Sequence, residues 1–238
     1  MSASAEISQH TFASSAALAE ALAGELANRL RKAIAERGRA LIAVSGGSTP
    51  KQLFDRLSQL ALDWDKVYVT LVDERWVPES SDRSNARLVK AMLLKHAAAA
   101  AHFVPLYEAG QDTPEAGLVY LQARLSALPA RFDAVVLGMG GDGHTASFFP
   151  GGDHLTQALD LQGRQRLWPM RAEGAGEPRI TFSLPALLDT EALYLHIEGA
   201  AKREVFKQAE TGEGAGAHYP VRAVLNQSRT PLSVFWSP

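Results

Sequence analysis

The apolar positions of this chain follow two alternating spacings, one helical and one continuous. Leu18, Leu22, Leu26, Leu30 and Ile34 fall four apart, with Glu20, Glu25, Arg29 and Arg31 on other faces. That pattern predicts a long amphipathic helix, capped by Ser14 or Ser15 and closed at Gly38. The run ALIAV (40–44) predicts a strand buried on both faces. It meets the turn SGGSTP (45–50), and KQLFDRLSQL resumes helical spacing with Pro50 in its first turn.

The unit recurs. VYVTLVDERWVP (67–78) is a β-rich run ending in charges, and Asn85–Lys95 has helical character. AAAAA (97–101) reads as a helix end, and Leu118, Leu121, Leu125 and Leu128 predict a helix across 115–128. FDAVVLG (132–138) and LYLHI (193–197) are strands, the latter leading into a helix over 200–209, and LSVFW (232–236) closes the chain. RAEGAGEPR (171–179) and ETGEGAGAHYP (210–220) read as mobile loops. Alternating strands and helices predict an α/β fold, with one doubly wound, mostly parallel, Rossmann-like sheet covered by helices on both faces. No internal repeat is visible, so residues 1–238 are expected to form a single domain.

Composition narrows the partners. The 238 residues carry 24 Lys+Arg against 26 Asp+Glu, a net charge of −2, so no bulk field attracts nucleic acid. The absence of cysteine removes disulfides, thiolate nucleophiles and cysteine-type zinc sites. MSASAEISQHTFASS has neither the basic nor the apolar region of a secretory leader. No window approaches the roughly 18 apolar residues a membrane helix needs. The expectation is a soluble, cytoplasmic protein with no nucleic-acid or membrane partner.

In doubly wound sheets ligands sit beyond the carboxyl ends of the strands. SGGSTP, DERW and GMGGDGH each follow a strand there. Gly46 and Gly47 permit close backbone approach, and Ser45, Ser48 and Thr49 add hydroxyls, although a merely capped turn has the same look. The loop lacks the Lys-[Ser/Thr] ending of a nucleotide P-loop, which favours a sugar or sugar phosphate. Asp73, Glu74 and Arg75 offer acid and guanidinium. Glu74 is read as a charged strand end meeting water, and Arg75 as either a ligand group or a partner of Asp73.

The richest stretch is VVLGMGGDGHTASFFPG (135–151), where a histidine ends a glycine-rich turn and a helix is expected to begin. A lone histidine is more often structural. Here Gly138, Gly140, Gly141 and Gly143 leave backbone N–H groups exposed, the makings of an oxyanion hole, and Asp142 is placed to orient His144.

SGGSTP, VDERWVP with SNARLVKAMLL, LGMGGDGHTASFFPG, PRITFSLPALL and GAAKREV together resemble the 6-phosphogluconolactonase family, from about residue 40 to 210. The resemblance implies hydrolysis of 6-phospho-D-glucono-1,5-lactone in the oxidative pentose phosphate pathway, without metal or organic cofactor. It makes His144 the general acid/base, with Asp142 and Arg75 as catalytic partners. Gly46, Gly47, Ser48, Thr49, Asp73, Gly140, Gly141, Arg179 and Lys202 become substrate-binding, with Arg179 and Lys202 as the cations for the phosphate. Asp73 is structural or hydroxyl-binding, and the partner is the small sugar-phosphate lactone, bound by a monomer. Phe148 stands where the family usually has leucine.

Two alternatives remain. Glucosamine-6-phosphate deaminase has similar SGGSTP and GDGH loops but typically continues IAFNEPG, where this chain has TASFFPG and so Phe149 in place of the acid. A non-catalytic sugar-phosphate sensor would need a DNA-binding module, for which the N-terminal 38 residues, supplying a single helix, leave no room.

Overall fold

The computed structural model describes residues 5–238. Residues 1–4, part of the stretch read for a leader, lie outside the described residues. Among the described residues no helix is long and apolar enough to cross a membrane.

The chain runs β1 (Ile7–Thr11), α1 (Ser15–Arg37), β2 (Ala40–Val44), α2 (Lys51–Ser58), β3 (Val67–Leu71), β4 (Asp73–Arg75), α3 (Asn85–Met92), β5 (His102–Val104) and α4 (Pro114–Ser126). It continues through β6 (Ala134–Leu137), α5 (Leu155–Leu159), β7 (Leu167–Met170), β8 (Arg179–Phe182), α6 (Leu184–Leu188), β9 (Leu193–Glu198), α7 (Ala200–Thr211), α8 (Arg222–Leu225) and β10 (Leu232–Ser237). Seven strands form one sheet in the order β1-β10-β9-β6-β2-β3-β5, with every neighbouring pair parallel. This is the α/β architecture expected from the alternating pattern.

The reasons are local. Ser14 caps α1 by accepting the Ala17 N–H at 3.2 Å. Gly38 ends the helix at φ 75°, a left-handed conformation that glycine adopts without strain. Leu18, Leu22, Leu26 and Leu30 are all fully buried, so the four-residue spacing faces the sheet. Every residue of β2 and β6 is buried, as strands covered on both faces require.

Several expectations need correcting. The N-terminal region supplies the edge strand β1 as well as a helix; its polar alternation ISQHT suits an edge half open to water. Ala97–Ala100 of the AAAAA stretch lie in a 3-10 turn, His96–Ala100, and Ala101 follows it in extended conformation. The two glycine-rich loops hold short 3-10 turns at Glu173–Ala175 and Gly214–His218, with Ala175 and Gly216 buried. No helix begins at His144: Thr145 and Phe148 form an isolated bridge, Ala146 takes φ 47°, and the next helix starts at Leu155.

The largest difference is a second sheet, antiparallel, in the order β4-β8-β7. The first three residues of DERW are therefore a strand, and Glu74 does not meet water. It is fully buried, and its carboxylate accepts the backbone N–H groups of Arg75, Asn85 and Ala86 at 2.7, 2.8 and 2.8 Å. The last two belong to the first turn of α3, whose free N–H groups attract an anion. Ser84 completes the cap by accepting the Arg87 N–H at 3.2 Å. One carboxylate thus fixes the start of α3 against β4.

Burial nevertheless pushes the Glu74 carboxyl up from 4.5 to about 7, against the pull of those N–H groups. The folded state then holds a proton that the unfolded chain releases at lower pH. The Glu74 contribution to stability is expected to be present below about 4.5 and lost as pH rises through about 7. Chemical denaturation across that range should show the slope in the native protein and not in Glu74→Gln. Glu74→Ala, which orphans buried N–H groups, should cost about 3 kcal/mol or more.

Candidate active site

The strand ends of the parallel sheet and the lip of the antiparallel one enclose a cavity of about 240 Å³. Gly46, Gly47, Ser48 and Thr49 line it after β2, Asp73 and Arg75 from β4, and Gly140 and His144 after β6. Arg179 comes from β8 and Lys202 from α7. Ten of the twelve residues singled out in the sequence therefore meet at one cavity. Asp142 stands behind His144, and Gly141 is exposed outside the lining.

The two main loops are stitched together by Ser45. Its hydroxyl donates to the Val136 carbonyl and accepts the Gly138 N–H, each at 3.0 Å. None of the N–H groups of residues 46–49 is taken by a backbone carbonyl among the described residues. They precede α2, so backbone donors, two hydroxyls and a helix start share one side of the cavity. Lys202 donates to Thr49 Oγ1 at 3.1 Å, placing its ammonium at that loop; it is not the solvated helix lysine its position alone would suggest. Burial lowers its pKa, with Glu198 opposing.

In the loop after β6, His144 Nδ1 lies 2.5 Å from Asp142 Oδ1, and the same oxygen accepts the His144 backbone N–H at 3.2 Å. Burial works to raise the Asp142 carboxyl, but the histidine's hydrogen bond and charge outweigh it, so its pKa lies below the ordinary value. With a carboxylate at Nδ1, the neutral ring carries its proton there and leaves Nε2 bare. The His144 ring stacks on buried Phe149, centroids 4.3 Å apart and planes at 24°. The Arg179 guanidinium lies 5.2 Å from the centre of the same ring, and Phe149 fixes both groups.

Glycine is required here by space. A Cβ on Gly140 would meet His144 Nδ1 at 2.2 Å and Asp142 Oδ1 at 2.7 Å. Gly143, at φ 74°, lies under the Tyr219 side chain, and its carbonyl accepts the Val221 N–H at 2.9 Å. The oxyanion-hole expectation for this loop changes, because the N–H groups of Gly138, Gly140 and Gly143 are already bonded to Ser45 Oγ, His144 O and Gly140 O. Arg75 is differently placed. It lines the cavity, its Nη1 donates to the Arg83 carbonyl, and its buried Nε has no hydrogen-bond partner among the described residues.

Asp73 is buried and accepts the Ser147 hydroxyl at 2.5 Å. Arg179 Nη1 is 3.8 Å from Asp73, while its Nε and Nη2 donate to the Ala175 carbonyl at 3.3 and 2.7 Å. Burial lowers the Arg179 pKa, Asp73 opposing and Arg75 adding to the fall. Arg75 and Arg179 are direct cross-strand partners, an arrangement that repels unless an anion lies near both.

Some of the lining was not anticipated. Asn85, within the quoted SNARLVKAMLL, donates to the Asp73 carbonyl at 3.1 Å, and its side chain occupies the space a Cβ on Gly46 would need. His196 also lines the cavity, though nothing in LYLHI separates it from a strand residue of the core.

Three comparisons bear on this site. The family described as glucosamine-6-phosphate isomerases/6-phosphogluconolactonase matches residues 13–236. A 6-phosphogluconolactonase of Rhizobium meliloti is 55% identical over 229 residues, covering 96% of this chain and 98% of that protein. One from Pseudomonas aeruginosa is 42% identical over 98% of this chain and 96% of its own length. The crystal structure of a 6-phosphogluconolactonase from Shewanella baltica superimposes with a TM-score of 0.92 at 42% identity, covering 98% of each chain.

The spacing at Gly140 is directly testable. Gly140→Ala should move the His144 ring while leaving thermal stability nearly unchanged. Steady-state turnover should fall about 100-fold, the scale of a 1 Å misplacement at a reacting centre.

Proposed function

The chain belongs to the glucosamine-6-phosphate isomerase/6-phosphogluconolactonase family, and from that premise we propose that it hydrolyses 6-phospho-D-glucono-1,5-lactone to 6-phospho-D-gluconate. The observation that carries the proposal is a single cavity lined both by Lys202, bonded to the hydroxyl-rich loop, and by His144, whose ring Asp142 holds.

In this reading the phosphate sits at residues 46–49 with Lys202 and Arg179, and the lactone C1 faces His144. Asp142 holds Nδ1–H, so Nε2 takes a proton from water as the water oxygen bonds to C1. The tetrahedral oxyanion is met by the Arg75 guanidinium, which lines the cavity. The C1–ring oxygen bond then breaks, and His144 returns its proton to the departing oxygen. A lactone is already an activated ester, so neither a covalent intermediate nor a metal or organic cofactor is needed. Asp73 holds the substrate hydroxyls or Arg179, and residues 1–238 act as one domain and a monomer.

The deaminase alternative is weakened by position 149. Where that chemistry places an acid, this chain has a phenylalanine buried against His144.

Lactone generated in place from glucose 6-phosphate and its dehydrogenase should disappear much faster with this protein than in buffer. His144→Ala should remove roughly 10²–10⁴-fold of the rate. Loss no faster than buffer would refute the activity, and ammonia release from glucosamine 6-phosphate would replace it.

Lys202→Ala should raise KM more than it lowers kcat, since it holds a group remote from C1. An unchanged KM would overturn the phosphate assignment.

A further inference from the structure

Two loops hold the arginines of the site by their backbone carbonyls. Arg75 Nη1 donates to the carbonyl of Arg83, in the loop between β4 and α3. Arg179 donates from Nε and Nη2 to the carbonyl of Ala175, in the turn before β8. The strand pairing of Arg75 with Arg179 is continued by the Trp76 N–H on the Pro178 carbonyl at 2.7 Å. Beyond that bond a side-chain pair joins the loops. Arg83 Nε and Nη2 reach the two carboxylate oxygens of Glu177 at 2.6 and 3.2 Å.

Arg83 therefore gives its carbonyl to one site arginine and its guanidinium to the loop that holds the other. Glu177 stands two residues from both Ala175 and Arg179, and its Oε2 lies 3.9 Å from Arg179 Nη2. The turn it anchors also backs the histidine. A Cβ on Gly174 would stand 3.6 Å from Asp142 Oδ2 and 4.0 Å from the Phe149 ring.

Stability does not account for the pair. The Arg83 and Glu177 side chains are 55% and 25% exposed, and ion pairs so open to water contribute little to folding. The geometry is nevertheless specific, because two nitrogens of one fork meet two oxygens of one carboxylate, which sets direction as well as distance. The Arg83 hydrogen bond holds the Glu177 carboxyl down at about 2, against burial, so the carboxylate is charged at neutral pH. Like charges crowd this lip: burial leads the fall in the Arg179 pKa, and both Arg75 and Arg83 add to it. Glu177 is the carboxylate that touches two of these three guanidinium groups.

We propose that Arg83 and Glu177 form a clasp of positioning residues that fixes Arg75 and Arg179 against their mutual repulsion. Neither residue lines the cavity, so both act through the arginines they hold. The inference rests on the reading of Arg75 as the group that meets the oxyanion. It adds what keeps that guanidinium in place before an anion arrives.

The test is steady-state hydrolysis of the phosphorylated lactone by Arg83→Ala, Glu177→Ala and the double variant, with melting temperatures alongside. Each single variant should lower kcat/KM about tenfold, less than the roughly 100-fold of a 1 Å misplacement, because the carbonyl bonds remain. Most of the loss should fall in kcat, since Arg75 meets charge that develops only in the transition state. Melting temperatures should stay near the native value. The double variant should lose no more than either single, because all three lack the same contact. Arg83→Lys, which keeps the charge without the fork, should recover part of the loss. Native turnover in both single variants, with turnover lost in Arg75→Ala, overturns the clasp and leaves the reading of the site standing. Additive losses in the double variant overturn it too, since the two residues would then act separately. So does a loss that follows a lowered melting temperature. Native turnover in Arg75→Ala refutes the role of Arg75 itself.

Discussion

Everything around the cavity depends on a change of backbone partners at Val72. Its N–H donates to the Val44 carbonyl at 3.0 Å, extending the parallel sheet, while its own carbonyl accepts the Phe182 N–H at 3.0 Å, starting the antiparallel one. One residue therefore belongs to both sheets. Past it the chain turns out of the parallel layer, and the register sets Asp73 against Thr181 and Arg75 against Arg179. Ser147 then closes the junction, its N–H on Thr181 Oγ1 at 3.3 Å and its hydroxyl on Asp73, which draws in the tail of the histidine loop. Backbone bonds decide where three functional segments meet. Side chains inherit the result.

The arrangement carries costs that point to a ligand. Two arginines sit opposite each other across a strand pair, relieved in part by Asp73 and Glu177 near Arg179. Lys202 adds a third cation to the same cavity. An anionic molecule relieves that repulsion, which is the sense in which the cavity suits the phosphorylated sugar lactone proposed as its substrate.

Much of this was legible in the sequence, for identifiable reasons. Leu18 to Leu30 and the runs ALIAV and AVVL announce a helix and doubly covered strands because burial leaves a periodic trace. SGGSTP and GMGGDGH stand out because close backbone approach excludes side chains. The antiparallel sheet left no such trace. β4 has three residues, β7 contains Pro169, and β8 pairs with a strand more than a hundred positions earlier. Glu74 misled because a buried carboxylate and a solvated one look alike until α3 presents its N–H groups. His196 was invisible for the opposite reason, since its apolar neighbours made it one more core position.

The most direct test of the account is a crystal structure with 6-phosphogluconate bound. The expected result has the phosphate within hydrogen-bond reach of residues 46–49 and Lys202, and the C1 carboxylate facing His144 Nε2 beside Arg75. The same sugar bound in the reverse sense, or its carboxylate far from His144, would contradict the account at its centre.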